Sequence, residues 1–110
     1  MATTALDLFR NGNASGARLD HVRPGRDVDV WPDTTGQVWV RANGKGVSTW
    51  DAPDPNWSQP WRLPAGAAYS NDLMLWNDMP GHWLFVPARD ILLSDYVAAL
   101  AAVNAQFVKV

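Results

Sequence analysis

The sequence contains no cysteine and no glutamate, and it has only two histidines. Without cysteine, the chain can form neither a disulfide bond nor a thiolate nucleophile. Because all 11 acidic residues are aspartates, a mechanism that requires a catalytic glutamate is excluded in its usual form. The two histidines have no cysteine or glutamate to complete a zinc ligand set, so we expect no metal site.

Long apolar runs are also absent. The longest aliphatic run, residues 97–103, falls far short of the roughly 20 residues that a membrane-spanning helix needs. The first five residues contain neither the basic stretch nor the apolar core of a Sec signal peptide. We therefore expect no membrane association and a cytoplasmic protein. Delivery into the cytoplasm of a target bacterium, by a route that uses no N-terminal signal, is compatible with this expectation.

Basic residues are few and mostly of one kind. The net charge is −2 and the pI is about 5.4, which argues against nucleic-acid binding because such binding depends on neutralising many phosphates. Seven of the nine basic residues are arginines. Since the planar guanidinium suits bidentate recognition of phosphate or carboxylate, the composition is compatible with a small phosphorylated ligand.

Short alternating segments separated by turn residues predict a sheet of about six strands. The turn sequence Asn43-Gly44-Lys45-Gly46, between two of these segments, predicts a β-hairpin. The proline-rich stretch 51–64 predicts a loop with fixed bends. The predicted strands are residues 5–10, 28–31, 37–41, 47–50, 73–76 and 82–86.

The last predicted element is a helix from about Ser94 to Asn104. Its apolar residues follow a three-to-four spacing with alanines between them, and Ser94 or Asp90 is expected to cap its start. A chain of 110 residues has room for one core. We therefore predict a single α+β domain over residues 1–110, in which a small, split and bent β-sheet packs against a C-terminal helix.

Familiar nucleotide-binding and hydrolase motifs are missing. Gly44-Lys45-Gly46 lacks the length and the Ser/Thr position of a phosphate-binding P-loop. The segment Gly46–Trp50, which contains Ser48, lacks the second glycine of a serine-hydrolase elbow. The sequence alone therefore does not support Ser48 or Ser94 as a bare nucleophile.

Three segments, taken in order, resemble the ADP-ribosyltransferase-like bacterial toxins that type VI secretion systems deliver. The first is Leu8-Phe9-Arg10, which is similar to a Leu-Tyr-Arg start in that family. The second is Gly46–Asp51, which resembles a Gly-x-Ser-aromatic-Asp segment, and the third is His82–Ala88, which resembles a His-Tyr strand ending in Pro-Ala before the last helix. The resemblance extends over most of the chain, from about residue 6 to residue 104.

The resemblance implies a toxin of the ADP-ribosyltransferase fold that binds or consumes NAD, as a transferase or a glycohydrolase. It also implies neutralisation by a cognate antitoxin or immunity protein. Within the site it implies that Arg10 grips NAD, that Ser48 and Thr49 shape the pocket, and that Trp50 supplies an aromatic ring to the same cleft.

The chain departs from the family at the carboxylate. In the wider superfamily a glutamate stabilises the cationic ribose as nicotinamide leaves, and this chain has none. Asp51, Asp72 or Asp78 would have to take its place for catalysis to proceed, and a site built on His82 is the remaining catalytic candidate. The alternative is a catalytically inactive transferase-like fold that acts through protein contact.

Seven tryptophans support a further alternative from another class of function. Trp50, Trp57 and Trp61 flank the proline-rich stretch and can stack on a flat ring, which predicts a noncatalytic binding module for a sugar, a base or a protein partner. Three other tryptophans of the predicted strands are expected in the core; they are Trp39, Trp76 and Trp83.

Overall fold

The computed structural model describes residues 1–110 and shows an α+β fold of eleven strands in three sheets with one C-terminal helix. The strands are β1 (Ala2–Thr3), β2 (Leu8–Asn11), β3 (Val30–Pro32), β4 (Val38–Val40), β5 (Val47–Trp50), β6 (Pro60–Leu63), β7 (Ala68–Tyr69), β8 (Leu73–Met79), β9 (His82–Pro87), β10 (Ile91–Leu92) and β11 (Val108–Lys109), and the helix is α1 (Leu93–Asn104). The predicted class is therefore confirmed.

The main sheet has six antiparallel strands in the order β11-β6-β2-β5-β9-β8. Strands β2 and β5 are joined only at one pair, Phe9 with Trp50, whereas β2 pairs with β6 along four residues. The chain enters β5 through Gly46, where a Cβ atom would lie 2.2 Å from the carbonyl oxygen of Phe85. Only glycine permits this close approach to β9.

The hairpin predicted around Asn43–Gly46 is wrong. Strand β4 pairs with β3 and β10 in a separate three-stranded sheet, while β5 lies between β2 and β9. The hairpin nearest to the predicted one is formed by β3 and β4. In the turn between them Asp33 accepts backbone hydrogen bonds and Gly36 has a φ of 87°. Burial of Val47 and Thr49 outweighs the local Asn-Gly signal, because β5 then forms an interior strand of the main sheet.

The loop predicted over residues 51–64 is wrong at its end. Residues 60–63 form β6, an interior strand between β11 and β2. Pro60 is the first residue of that strand, the position at which a sheet tolerates proline. Leu63, at the other end, is fully buried opposite Leu8, and this burial draws the segment into the sheet.

Helix α1 begins one residue earlier than predicted and ends where predicted. Its buried face carries Tyr96, Leu100 and Val103, at the expected spacing. The predicted cap is wrong, because no side chain caps the helix and Asp90 instead accepts a hydrogen bond from the amide of Ala42. Burial raises the pKa of the Tyr96 hydroxyl, which donates to the carbonyl oxygen of Phe85 at 2.6 Å.

The core lies between one face of the main sheet and the helix, and the small sheets close its sides. Trp83 packs against this core, as expected, but Trp76 is 51% exposed on the edge strand β8, so its predicted core position is wrong. The helix is not long and apolar enough to cross a membrane. The core cluster comprises Leu8, Ala17, Leu19, Val28, Val40, Val47, Leu63, Ala67, Leu73, Phe85, Ile91, Tyr96, Ala99, Leu100, Val103 and Phe107.

Candidate active site

Side chains on β5 alternate between the two faces of the main sheet. Val47 and Thr49 are buried on the core face, so Ser48 and Trp50 lie on the opposite face. Trp50 pairs with His82 of β9, and paired residues of antiparallel strands share a face. The middle and late segments of the resemblance therefore meet on this outer face of the sheet.

Three side chains on the outer face form a continuous hydrogen-bonded chain. His82 Nε2 lies 2.9 Å from Ser48 Oγ, and His82 Nδ1 lies 2.6 Å from Asp78 Oδ1. When Asp78 is ionised and the imidazole is neutral, Nδ1 donates to the carboxylate and Nε2 accepts the Ser48 hydroxyl hydrogen. This is the order of groups found in Ser-His-Asp catalytic sites, and we call it the relay.

The hairpin between β8 and β9 positions the acid of the relay. The ladder shifts register between Asn77 and Met79, so Asp78 is an extra residue in a β-bulge, a distortion that redirects a side chain. The Asn77 side-chain amide donates to the carbonyl oxygens of Met79 and His82, both at 2.8 Å. Gly81, with a φ of 80°, completes the tight turn. The residue pattern did not predict the bulge or the role of Asn77.

Trp50 covers the histidine of the relay. The indole and imidazole ring centroids are 4.3 Å apart, with the planes tilted by 41°. The His82 side chain is 10% exposed and Trp50 is 38% exposed, so the indole lies between the imidazole and solvent. The indole N–H of Trp50 makes no hydrogen bond within the chain, unlike those of Trp39, Trp61 and Trp83, and is free to donate to a ligand.

Arg10 does not join the relay. Its guanidinium donates to three main-chain carbonyl oxygens, those of Ala17 at 2.9 Å, Ser48 at 2.6 Å and Arg18 at 3.4 Å. These bonds tie the loop after β2 to β5, in the region where the two strands no longer pair. Burial lowers the pKa of Arg10, and the neighbouring charges of Arg23 and Arg18 lower it further.

A basic cavity of about 400 Å³ lies beside Arg10. Arg18, one of its lining residues, has a φ of 60°, an unusual backbone conformation for a non-glycine residue, and its guanidinium contacts His21 Nδ1 at 3.1 Å. None of the cavities found in the structure is lined by Ser48, Asp78 or His82. The residues lining the basic cavity are Arg10, Asn11, Gly12, Arg18, His21, Val22 and Arg23.

The structure separates the other expected site residues from the relay. Thr49, which was expected to shape the pocket with Ser48, is fully buried on the core face, and its hydroxyl donates to the Trp83 carbonyl at 2.9 Å. Asp72 forms an ion pair with Arg89 at 2.6 Å, and Asp51 accepts a hydrogen bond from the Trp83 indole at 3.3 Å. Of the three candidate carboxylates, only that of Asp78 contacts His82.

The predicted tryptophan surface is also divided. Trp50 shares a face with Phe9, its partner across the strands, whereas Trp61 pairs with the next residue, Arg10, and lies on the other face. Trp61 packs against the core and donates its indole N–H to the carbonyl of Asn13 at 2.8 Å. Trp50 and Trp61 therefore cannot contact one flat ligand together.

Comparison of the chain with protein-family models, with curated proteins and with solved structures found no match. The resemblance to toxins therefore depends on the sequence segments alone. No group of three histidine or aspartate side chains lies close enough together to hold a metal ion. Function has to be inferred from the side-chain chemistry of the relay and its surroundings.

Proposed function

We propose that the chain is a bacterial toxin related to ADP-ribosyltransferases that consumes NAD at the Ser48–His82–Asp78 relay. The main support is the 2.6 Å contact between Asp78 and His82, because it brings an aspartate carboxylate into the site in place of the missing glutamate. Ser48 and His82 belong to two of the segments that resemble the toxins, and their contact at 2.9 Å joins those segments in one site. A cognate immunity protein is proposed to neutralise the activity.

The relay suits the departure of nicotinamide from ribose. As that bond breaks, ribose becomes cationic, and the negative charge of Asp78, which lies behind the imidazole of His82, favours the transition state electrostatically. Water, or a hydroxyl of an acceptor, then forms the new bond to the ribose carbon. Its proton passes to His82 Nε2, either directly or through the Ser48 hydroxyl. Hydrolysis in this way converts NAD and water into ADP-ribose, nicotinamide and one proton.

The basic cavity is the part of the structure that suits phosphate recognition. Arg10 lines this cavity and its guanidinium contacts the main-chain carbonyl of Ser48, whereas the Ser48 side chain and the rest of the relay lie on the opposite face of the sheet. Since Arg10 already donates three bonds to the main chain and Arg23 is paired with the carboxylate of Asp27 at 2.9 Å, we assign the phosphate contact to the exposed side chain of Arg18. Arginine forks are suited to such oxygens.

The experiment measures nicotinamide release from NAD by the purified chain. We expect Ser48→Ala, His82→Ala and Asp78→Asn each to lower the rate by about 100-fold or more, the usual contribution of a positioned acid or base. Ser58→Ala and Asp54→Asn are matched controls, because both residues are exposed in the loop between β5 and β6 and neither side chain bonds to a residue of the relay. A wild-type chain that folds but releases no nicotinamide would contradict the proposal.

The toxin part of the proposal has its own measurement. Expression of the wild-type chain in a bacterium should stop growth and lower cellular NAD, and co-expression of the protein encoded beside it should restore both. The relay variants should permit growth, whereas Ser58→Ala should remain toxic. If His82→Ala is as toxic as the wild type, toxicity comes from a surface other than the relay.

A further inference from the structure

We propose that Ser48 is a covalent nucleophile toward small apolar acyl esters, so that the relay also supports acyl transfer, a reaction that does not involve NAD. The inference goes beyond the proposed function and uses the same three side chains. It is carried by the geometry of the relay together with an apolar cavity on the same face of the sheet. The sequence did not support a nucleophile at Ser48, and the structure supplies the base that was missing.

The relay meets the geometric requirements of an activated serine. The Ser48–His82 distance of 2.9 Å and the His82–Asp78 distance of 2.6 Å lie within the range expected between a nucleophile, its base and the orienting acid. The imidazole is held between these partners and the Trp50 ring, so its orientation is defined before a substrate binds. Preorganisation of this kind is a large part of catalytic efficiency.

An apolar strip runs from Ser48 across the outer face. Ser48 pairs with Leu84, and Leu84 pairs with Trp76, so the three residues form one row across β5, β9 and β8. The next row on this face contains Val86 paired with Met74. Trp76 is 51% exposed and Met74 is 47% exposed, which is unusual for large apolar residues on one strand.

The same residues line a cavity beside this row. A space of about 230 Å³ is bounded by Met74, Trp76 and Val86 together with Ala42, Gly44, Pro87 and Ala88. Apart from Gly44, which has no side chain, every lining residue has an apolar side chain. The part of a substrate that fits this cavity is therefore a hydrocarbon chain. Trp76 pairs with Leu84, and Leu84 pairs with Ser48, so the cavity lies at the β8 end of the row that begins at Ser48. An acyl chain bound in the cavity directs its carbonyl toward Ser48.

The reaction balances without an external oxidant or cofactor. Ser48 Oγ attacks the ester carbonyl carbon while its proton moves to His82 Nε2, and that proton is then given to the departing alkoxide. The products of this step are an alcohol and an acyl ester of Ser48. Water then attacks the acyl ester, its proton passes through His82, and the acid leaves with Ser48 restored. We assign the indole N–H of Trp50, which makes no hydrogen bond within the chain and lies over His82, as the donor to the oxyanion.

The test is labelling of the full chain with a fluorophosphonate, followed by intact mass and peptide mapping. We expect a single adduct on Ser48, no adduct in Ser48→Ala, labelling at least about 100-fold slower in His82→Ala, and normal labelling in the control Ser58→Ala. Far-UV circular dichroism of each variant verifies folding. No adduct on the folded wild type, or an adduct mapped to another residue, would overturn the proposal.

Hydrolysis of p-nitrophenyl esters tests the acyl site. For the wild type we expect a higher kcat/KM with octanoate than with acetate. Trp76→Ala should lower kcat/KM for octanoate by about tenfold and leave that for acetate nearly unchanged, because Trp76 lies two strands, about 10 Å, from Ser48 and only the longer chain spans that distance. Equal losses for both esters would contradict the placement of the chain. Nicotinamide release without serine labelling would reject only the acyl-transfer proposal, and labelling without nicotinamide release would reject only the NAD proposal.

Discussion

The guanidinium of Arg10 acts on the main chain of two segments that are far apart in sequence. It is half-buried and bonds to the carbonyl oxygens of Ala17, Arg18 and Ser48, and so bridges β5 to the loop after β2. A residue type suited to phosphate therefore has a structural role here. Sequence patterns could not show this, because a free and a bridging arginine have the same identity and the same position at the end of a strand.

At the residue scale we predict that Arg10→Lys destabilises the chain by about 2 kcal/mol, the usual contribution of a charged hydrogen-bond donor of this kind. A lysine ammonium is a point charge and cannot reach all three carbonyl oxygens. Urea unfolding followed by fluorescence measures the change, with Arg62→Lys as control because Arg62 is exposed and makes no side-chain hydrogen bond. Equal stabilities of the two variants would show that the bridge does not hold the loop.

At the element scale, local patterns predicted the elements whose side chains alternate or repeat regularly. Strands β5 and β9 and helix α1 were found in this way, and Ser48, His82 and Trp50 follow from them. The interior strand β6 was missed, because proline and tryptophan signals hid a segment whose burial depends on Leu8, 55 residues earlier. Asp78, the acid of the relay, was among the predicted candidate carboxylates. Its contact with His82 depends on the β-bulge between Asn77 and Met79, and no local sequence pattern encodes that bulge.

The turn between β3 and β4 provides a prediction on pH. Asp33 accepts bonds from the Thr35 hydroxyl and amide, the Gln37 amide and the Trp39 indole, and these bonds lower its pKa from 3.8 to about 2. Because the carboxylate form is favoured in the folded chain, its stabilisation is present above about pH 4 and is lost as the pH falls toward 2.

We expect Asp33→Asn to lower the thermal midpoint at pH 7 and to flatten the fall of the midpoint between about pH 4 and pH 2. Thermal unfolding followed by circular dichroism at a series of pH values measures both effects. Asp54→Asn is the control, because Asp54 lies in an exposed turn where its carboxylate accepts a single hydrogen bond, from the Asn56 amide. A variant whose midpoint falls as steeply with acid as that of the wild type would show that Asp33 does not carry this dependence.

At the scale of the whole molecule, the strand order of the main sheet determines which residues meet. Strands β2, β5, β6 and β9 are not in sequence order, and most of their pairs join distant parts of the chain. The predicted class and helix follow from composition and periodicity, whereas this order depends on long-range burial. It also explains why Ser48 and Thr49, neighbours in sequence, have opposite roles: one lies on the outer face and the other is enclosed in the core.

The contact between Trp50 and His82 gives the site an optical signal of its own. The emission of an excited indole depends on the ring in contact with it, and here the two ring centroids are 4.3 Å apart. Removal of the imidazole in His82→Ala should therefore change the fluorescence of the chain, whereas the same substitution made in Trp50→Phe should leave the fluorescence unchanged. A ligand that separates the two rings should change the emission in the same direction as His82→Ala, so the site reports its own occupancy.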